Sequence, residues 1–187
     1  VRGERLFVLK RSSSDLQPKL FVRDRDAEFP HLALDPNAVS RDGTWALDWW
    51  TPSLDGALLA YGMTDLRSGE SVVRVRDVDS ALDLPDRIPR APQAGAAWLA
   101  DRTGFFYARS PKPGEVPDAE LSYHRRVYFH RLGTDPLNDY LVFGGGRAKE
   151  DWPEVRMSPE GHYLLVTVRQ GSRRTDLYVS DLRAKTT

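Results

Sequence analysis

The sequence predicts an all-β fold, a β-propeller arc of about four blades, and three observations support this prediction. A short turn that ends in glycine and precedes an apolar run recurs four times, at Gly3, Gly56, Gly104 and Gly161. The interval is about 50 residues, the length of a propeller blade. Apolar residues with helical spacing do not continue beyond about one turn, and only residues 113–124 have the composition of a single helical turn. A strand repeat of this length favours a propeller over a sandwich.

Each repeat contains further strand-like runs, rich in β-branched and aromatic residues and separated by Gly, Pro, Asp and Ser. These runs lie at 20–24, 31–34, 73–77, 87–89, 127–131, 140–143 and 177–181, with Trp-rich segments at 45–50, 94–99 and 152–157. The resulting blade units are residues 1–36, 45–91, 94–143 and 152–187, of which the two middle units are complete and the outer two are truncated. Because a propeller closes when its first and last blades meet, we expect a piece of a larger polypeptide.

The composition is that of a globular protein without an electrostatic bias. Apolar residues make up 40% of the 187 residues and charged residues 29%, which excludes disorder by composition. The formal net charge is zero, so we expect neither a nucleic-acid partner nor an anionic membrane partner. Apolar stretches are all shorter than the roughly 18 residues of a membrane-spanning helix. The absence of cysteine excludes disulfides and thiol chemistry.

Residue types that carry chemistry are scattered along the chain. The four histidines lack HxH or HxxxH spacing and are interpreted as surface or strand-edge residues rather than metal ligands: His31, His124, His130 and His162. The nearest approach to a G-x-S-x-G motif, at 69–71, lacks the second glycine and precedes a strand. The glycine run at 144–146 also precedes a strand, so it predicts a link between blades rather than a phosphate cradle. We assign no catalytic, cofactor-binding or metal-binding residue, and we expect no cofactor.

Five tryptophans form the largest group of bulky side chains: Trp45, Trp49, Trp50, Trp98 and Trp152. They suit either a ligand-stacking platform or the core between blade faces. The core is favoured for Trp98 and Trp152, because one such ring buries about 150 Å² or more. Trp49 and Trp50 are consecutive, so in a strand they point to opposite faces and pack against different neighbours.

Arginines form a stripe that consists of Arg74 and Arg76, which alternate in one predicted strand, and of the consecutive pair Arg125 and Arg126, which precedes another. Such a stripe suits either a channel lining or a solvated face. The pattern favours the solvated face, because charged side chains are seldom fully buried.

Four segments carry a resemblance to a known family. They read LDPNAVSRDGTWAL (34–47), SLDGALLAYG (53–62), YFHRLGTD (128–135) and MSPEGHYL (157–164). In this order and spacing, and over essentially the whole chain, they resemble the prolyl oligopeptidase family, with Glu160 in place of the usual Asp. The S-x-D-G turns occur in many propellers, whereas the DPN and LGTD segments are specific.

The resemblance implies a serine peptidase of two domains that cleaves short peptides after proline. In that family a seven-bladed propeller covers an α/β-hydrolase domain that holds a Ser, Asp and His triad. The present chain is then three to four blades of a substrate-gating lid, and no position in it matches the triad. Its expected partners are the hydrolase domain of the same polypeptide and short proline-containing peptides.

Two alternatives stay open at this point. One is a stand-alone propeller that binds a protein or peptide through its central channel. The other is the propeller of a related peptidase, such as oligopeptidase B or an acylaminoacyl peptidase. The excess of arginine over lysine suggests a GC-rich, bacterial source. We expect a cytoplasmic location, and the missing start leaves a periplasmic or secreted one open.

Overall fold

The computed structural model describes residues 1–171 and 174–183, which form four antiparallel sheets in chain order. Sheet 1 comprises β1 (Arg5–Lys10), β2 (Lys19–Asp24) and β3 (His31–Leu34). Sheet 2 comprises β4 (Trp45–Pro52), β5 (Leu58–Asp65), β6 (Ser71–Asp77) and β7 (Leu82–Pro89). Sheet 3 comprises β8 (Ala97–Trp98), β9 (Gly104–Arg109), β10 (Arg126–Arg131) and β11 (Tyr140–Phe143). Sheet 4 comprises β12 (Asp151–Met157), β13 (Tyr163–Gln170) and β14 (Arg174–Asp181).

Within each sheet, strands that follow one another in the chain are also neighbours in space. Two sheets thus have four described strands and two have three. This arrangement confirms the prediction of an all-β fold that forms part of a propeller.

Helical structure is limited to short turns among the described residues. Helix α1 (Pro36–Val39) follows Asp35, whose carboxylate accepts a hydrogen bond from the backbone N–H of Asn37 at 2.9 Å. This helix was not predicted from the sequence, although Asp followed by Pro is a common helix start. A 3-10 turn at Asp118–Glu120 lies inside the predicted segment, and another spans Pro136–Asn138. None of these helices is long and apolar enough to cross a membrane.

The apolar core is divided among three seams, each between consecutive sheets. The first seam, between sheets 1 and 2, buries Leu20, Val22 and Leu34 against Leu59, Tyr61 and Met63. The second seam, between sheets 2 and 3, buries Ala60, Val73 and Ile88 against Trp98, Phe105 and Tyr107. The third seam, between sheets 3 and 4, buries Ala97, Phe106 and Val127 against Val155, Leu164 and Val166. Consecutive residues of one strand thus serve different seams, as the period of two requires.

The S-x-D-G turns are built from local hydrogen bonds. The hydroxyl of Ser53 accepts from the N–H of Leu58 at 3.0 Å and donates to the Asp55 carboxylate at 2.6 Å. The hydroxyl of Ser158 accepts from the N–H of Tyr163 at 3.1 Å in the same way. The sequence motif therefore specifies the turn directly.

The turn of the third repeat differs from the prediction, which placed its glycine at Gly104. The left-handed position of its turn is held by Arg102, with φ +61°, and not by Gly104. The N–H of Arg102 closes the turn on the carbonyl of Leu99 at 3.1 Å. Gly104 instead begins β9, where a Cβ would overlap the carbonyl oxygen of His130. This glycine is present because another strand approaches closely, so the repeat was wrongly aligned by two residues at this point.

Candidate functional site

The clearest candidate site is an open concavity of about 670 Å³ between the sheets. Its walls are formed largely by β4, by β12 and by residues 93–98, which include β8. In sheets 2, 3 and 4 these strands come first in the chain and lie at one edge of the sheet. We therefore call them the inner strands. The volume lies in the range of cavities that bind small ligands.

The lining of the concavity combines apolar and charged side chains. Trp49, Trp50 and Met157 provide apolar surface, and Asp48, Glu154 and Arg156 provide both signs of charge. The lining residues in the described part of the chain include no serine, cysteine or histidine. The lining therefore offers apolar contact and ion pairing to a bound molecule.

The tryptophans lie mainly where the core interpretation predicts. Trp98 is 1% exposed, and its indole Nε1 donates to the carbonyl of Thr51 at 3.0 Å. Trp49 packs against the second seam and Trp50 against the first, which confirms that their rings point to opposite faces. Both residues also line the concavity. Trp152 is half-buried and is covered by the guanidinium of Arg125, 3.9 Å from its ring centre.

The prediction of a solvated arginine face is wrong for Arg125, which is only 3% exposed. Sheet 4 covers this side chain, and alternation along a strand cannot reveal such a neighbour. One terminal nitrogen of its guanidinium donates to the carbonyl of Pro92 at 2.7 Å, whereas Nε and the other nitrogen have no hydrogen-bond partner among residues 1–171 and 174–183. Burial lowers the pKa of Arg125 to about 10. Arg74, Arg76 and Arg126 are half-buried, and Nε of Arg76 donates to Asp83 at 2.6 Å.

Residues 90–95, which connect β7 with β8, have unusual backbone angles. Arg90, Gln93 and Gly95 have φ values of +61°, +46° and +62°. The N–H of Gln93 donates to the Asp48 carboxylate at 2.7 Å, and the carbonyl of Arg90 accepts from the N–H of Ser110 at 2.8 Å. Arg90 and Gln93 carry a Cβ, so left-handed backbone angles at these two residues persist only where neighbouring contacts hold them. Gly95 adopts such angles freely. The sequence predicted a strand-like segment at 94–99, whereas the structure forms only the short strand β8 (Ala97–Trp98) within it.

The histidines occupy four different environments. His31 is half-buried at the edge of sheet 1, His162 is exposed, and His124 bonds to Glu120 at 2.7 Å. His130 is fully buried between two aspartates, so the surface interpretation is wrong for this residue. The structure brings no three His, Cys, Asp or Glu side chains of residues 1–171 and 174–183 together as metal ligands. Ser71 is buried at the start of β6, and the glycine run at 144–146 connects β11 with β12.

Comparison with known proteins adds the family. The model for the prolyl oligopeptidase N-terminal β-propeller domain matches residues 1–187. The chain is 28% identical over 187 residues to the prolyl endopeptidase of Elizabethkingia meningoseptica, covering 99% of this chain and 26% of that protein. It is 31% identical over 194 residues to prolyl oligopeptidase A of Galerina marginata, covering 88% of this chain and 26% of that protein. The chain thus spans about a quarter of the length of these curated relatives.

Solved structures agree with the sequence relatives. A chain from a structural and mechanistic study of two prolyl endopeptidases superposes with a TM-score of 0.87 at 28% identity, over 99% of this chain and 28% of that one. Prolyl oligopeptidase B from Galerina marginata, solved with a 35mer hydrolysis and macrocyclization substrate, gives a TM-score of 0.82 at 20% identity. The superposition covers 96% of this chain and 28% of the Galerina marginata chain. At 20% identity, this similarity supports the fold alone. The chain therefore belongs to the prolyl oligopeptidase family, as its N-terminal β-propeller domain.

Proposed function

We propose that this chain is a substrate-gating, non-catalytic part of a serine peptidase that cleaves short peptides on the carboxyl side of proline. The observation that carries the proposal is the family match over residues 1–187. The α/β-hydrolase domain of the same polypeptide is then the partner that supplies the nucleophile, the base and the oxyanion hole.

The concavity supports a role in filtering substrates by size. Its volume of about 670 Å³ is sufficient for a few residues of extended peptide. A folded domain of about 100 residues has a radius of gyration near 13 Å and is far too large to enter. Trp and Met side chains on the wall suit apolar side chains such as proline, and the wall's carboxylates and arginine suit a charged backbone terminus.

The first test is made on the native polypeptide, captured from its source with an antibody against this chain. We expect a species several times heavier than 21.2 kDa that reacts with a fluorophosphonate and cleaves a fluorogenic Gly-Pro substrate. A native species of about 21.2 kDa that does not react with the fluorophosphonate would contradict the proposal and favour a stand-alone interaction propeller.

The gating role needs its own test, with cleavage of a dipeptide substrate, an octapeptide and the same octapeptide placed in a loop of a folded protein. We expect the first two to be cleaved and the folded protein to resist. The variant Arg156→Trp adds volume to the concavity wall, and Arg67→Trp makes the same change in an exposed turn. Slower cleavage of the octapeptide than of the dipeptide substrate in Arg156→Trp alone supports gating. Equal rates in all three proteins argue against gating but leave the peptidase assignment intact.

A further inference from the structure

A buried Asp–His–Asp triad joins sheets 2 and 3 through β7 and β10, which do not line the concavity. His130 of β10 has no exposed surface, and its Nε2 lies 3.0 Å from Oδ1 of Asp86 on β7. Its Nδ1 lies 2.9 Å from Oδ1 of Asp139, which follows the turn at 136–138. The two aspartate side chains are 2% and 1% exposed. This triad lies at the second seam and outside the candidate site.

The groups around the triad are also specified. The Tyr107 hydroxyl donates to Oδ2 of Asp139 at 2.7 Å and accepts from Arg109 at 3.1 Å. The guanidinium of Arg109 is 4.0 Å from the same carboxylate and also donates to the carbonyl of Pro136 at 2.9 Å. Burial raises the pKa of Tyr107, so this phenol stays neutral. The charges that face one another are therefore two carboxylates, one guanidinium and the imidazole.

These contacts fix the number of protons at the seam. An ionised carboxylate only accepts hydrogen bonds, so both ring nitrogens of His130 must donate. A neutral imidazole carries one N–H and would place a lone pair against an aspartate oxygen. With the ring charged, the two aspartates are balanced by His130 and Arg109. Without that proton, a buried charge is left uncompensated, which is costly in a low-dielectric interior.

We propose that His130 is a proton-dependent clamp, which holds sheets 2 and 3 together while its ring is charged and weakens the second seam when the ring loses its proton. The clamp couples β10 to β7 across 44 residues of chain. Asp86 also accepts from the N–H of Gly133 at 2.6 Å, so the turn after β10 is held to the same carboxylate.

The direction of the pH effect follows from the surroundings of the ring. Burial alone disfavours the charged ring, but the hydrogen bonds to Asp139 and Asp86 outweigh it and raise the pKa of His130. Because the pKa is higher in the folded chain than in the unfolded chain, the folded state binds this proton more tightly. The stabilisation is complete below about pH 6.5, the ordinary histidine value. It is lost as the pH rises through the folded-state pKa.

The test uses the 187-residue chain between pH 6 and pH 9. Ring ¹⁵N NMR should show both nitrogens of His130 protonated at pH 7. The urea midpoint should fall as the pH rises, and exchange of the Gly133 amide should speed up relative to that of Leu47. The Leu47 amide is a suitable reference because it donates to the neutral side chain of Gln17 at 2.8 Å. As the ring of His130 loses its proton, the equilibrium constant for opening at Gly133 should rise. The rise should be about tenfold for each unit by which the pKa of His130 in the folded chain exceeds that in the unfolded chain.

Three variants make the proposal falsifiable. His130→Gln should be less stable than the parent chain at pH 6, and its stability should no longer depend on pH. His162→Gln changes an exposed ring and should keep both the stability and the pH dependence of the parent chain. Asp86→Asn keeps an oxygen that can accept from Gly133 and the ring but removes one charge, so the loss of stability should move to lower pH. If His130→Gln does not fold, the parent chain and Asp86→Asn still decide the matter. A flat pH profile in the parent chain, or an unmoved one in Asp86→Asn, overturns the clamp.

Discussion

The second and third seams both bury a nitrogen base, but they satisfy it differently. At the second seam, both ring nitrogens of His130 meet a carboxylate. At the third seam, Arg125 lies 3.9 Å from the Trp152 ring centre and donates one hydrogen bond to Pro92, and two of its nitrogens have no partner in the part of the chain that the structure describes. The hydrogen bonds to two carboxylates raise the pKa of His130, whereas Arg125, with a pKa of about 10, has no carboxylate partner among the described residues and keeps its charge. A similar degree of burial thus gives a pH-sensitive contact in one place and a pH-insensitive one in the other.

The tryptophans of the two seams differ in how deeply they are buried. Trp98 at the second seam is 1% exposed and packs 4.9 Å from Phe105 between ring centres. Trp152 at the third seam is half-buried and is covered by a polar side chain. Truncating a single tryptophan should therefore lower the free energy of unfolding more at the second seam than at the third.

The largest expected effect comes from truncating these two rings. Trp98→Ala should lower the free energy of unfolding by about 3–5 kcal/mol, because it opens a cavity in a packed core. Trp152→Ala should cost about 1–2 kcal/mol, because less of its surface is buried. Urea unfolding of both variants, followed by the fluorescence of the remaining tryptophans, measures the difference. Equal losses would mean that the third seam is as tightly packed as the second.

A smaller effect is expected from adding a methyl group to two glycines with ordinary backbone angles. Gly104→Ala should destabilise the chain by about 1–3 kcal/mol, because the new Cβ meets the carbonyl of His130, which cannot rotate away. Gly145→Ala is the matched control, because its nearest neighbour is a side-chain carbon of Leu141 at 3.4 Å. Thermal unfolding of the two variants is the measurement. A stable Gly104→Ala protein would show that β9 and β10 can separate without cost, contrary to the structure.

The sequence predicted the features that depend on neighbouring residues in the chain. The runs of valine and aromatic residues gave the strands, and Ser53 and Asp55 gave their turn, because those hydrogen bonds span at most five residues. Helix α1 has a similar local signal in its sequence, because Asp35 caps the helix and Pro36 begins it.

The features that the sequence did not reveal depend on distant partners. Gly104 was assigned to a turn, because nothing in its neighbours shows that His130 approaches it. Arg125 was assigned to solvent, because strand alternation identifies a face but not the sheet that covers it. The triad could not be recognised from spacing, because Asp86 and His130 are 44 residues apart. The concavity is likewise formed by strands of different sheets.

The smallest effect is expected at Arg125 itself and separates the two seams most directly. Arg125→Met should change the free energy of unfolding by no more than about 1 kcal/mol, because it removes a poorly paired buried charge while it keeps an unbranched side chain over the indole. It should also leave the dependence of stability on pH unchanged between pH 6 and pH 9, because the pKa of Arg125 is about 10 and the guanidinium stays largely charged there. Urea unfolding at both pH values, beside His130→Gln, makes the comparison. A loss well above about 1 kcal/mol would show that the bond to Pro92 and the stacking on Trp152 outweigh the desolvation of the charge. In that case the third seam, too, would depend on its cation.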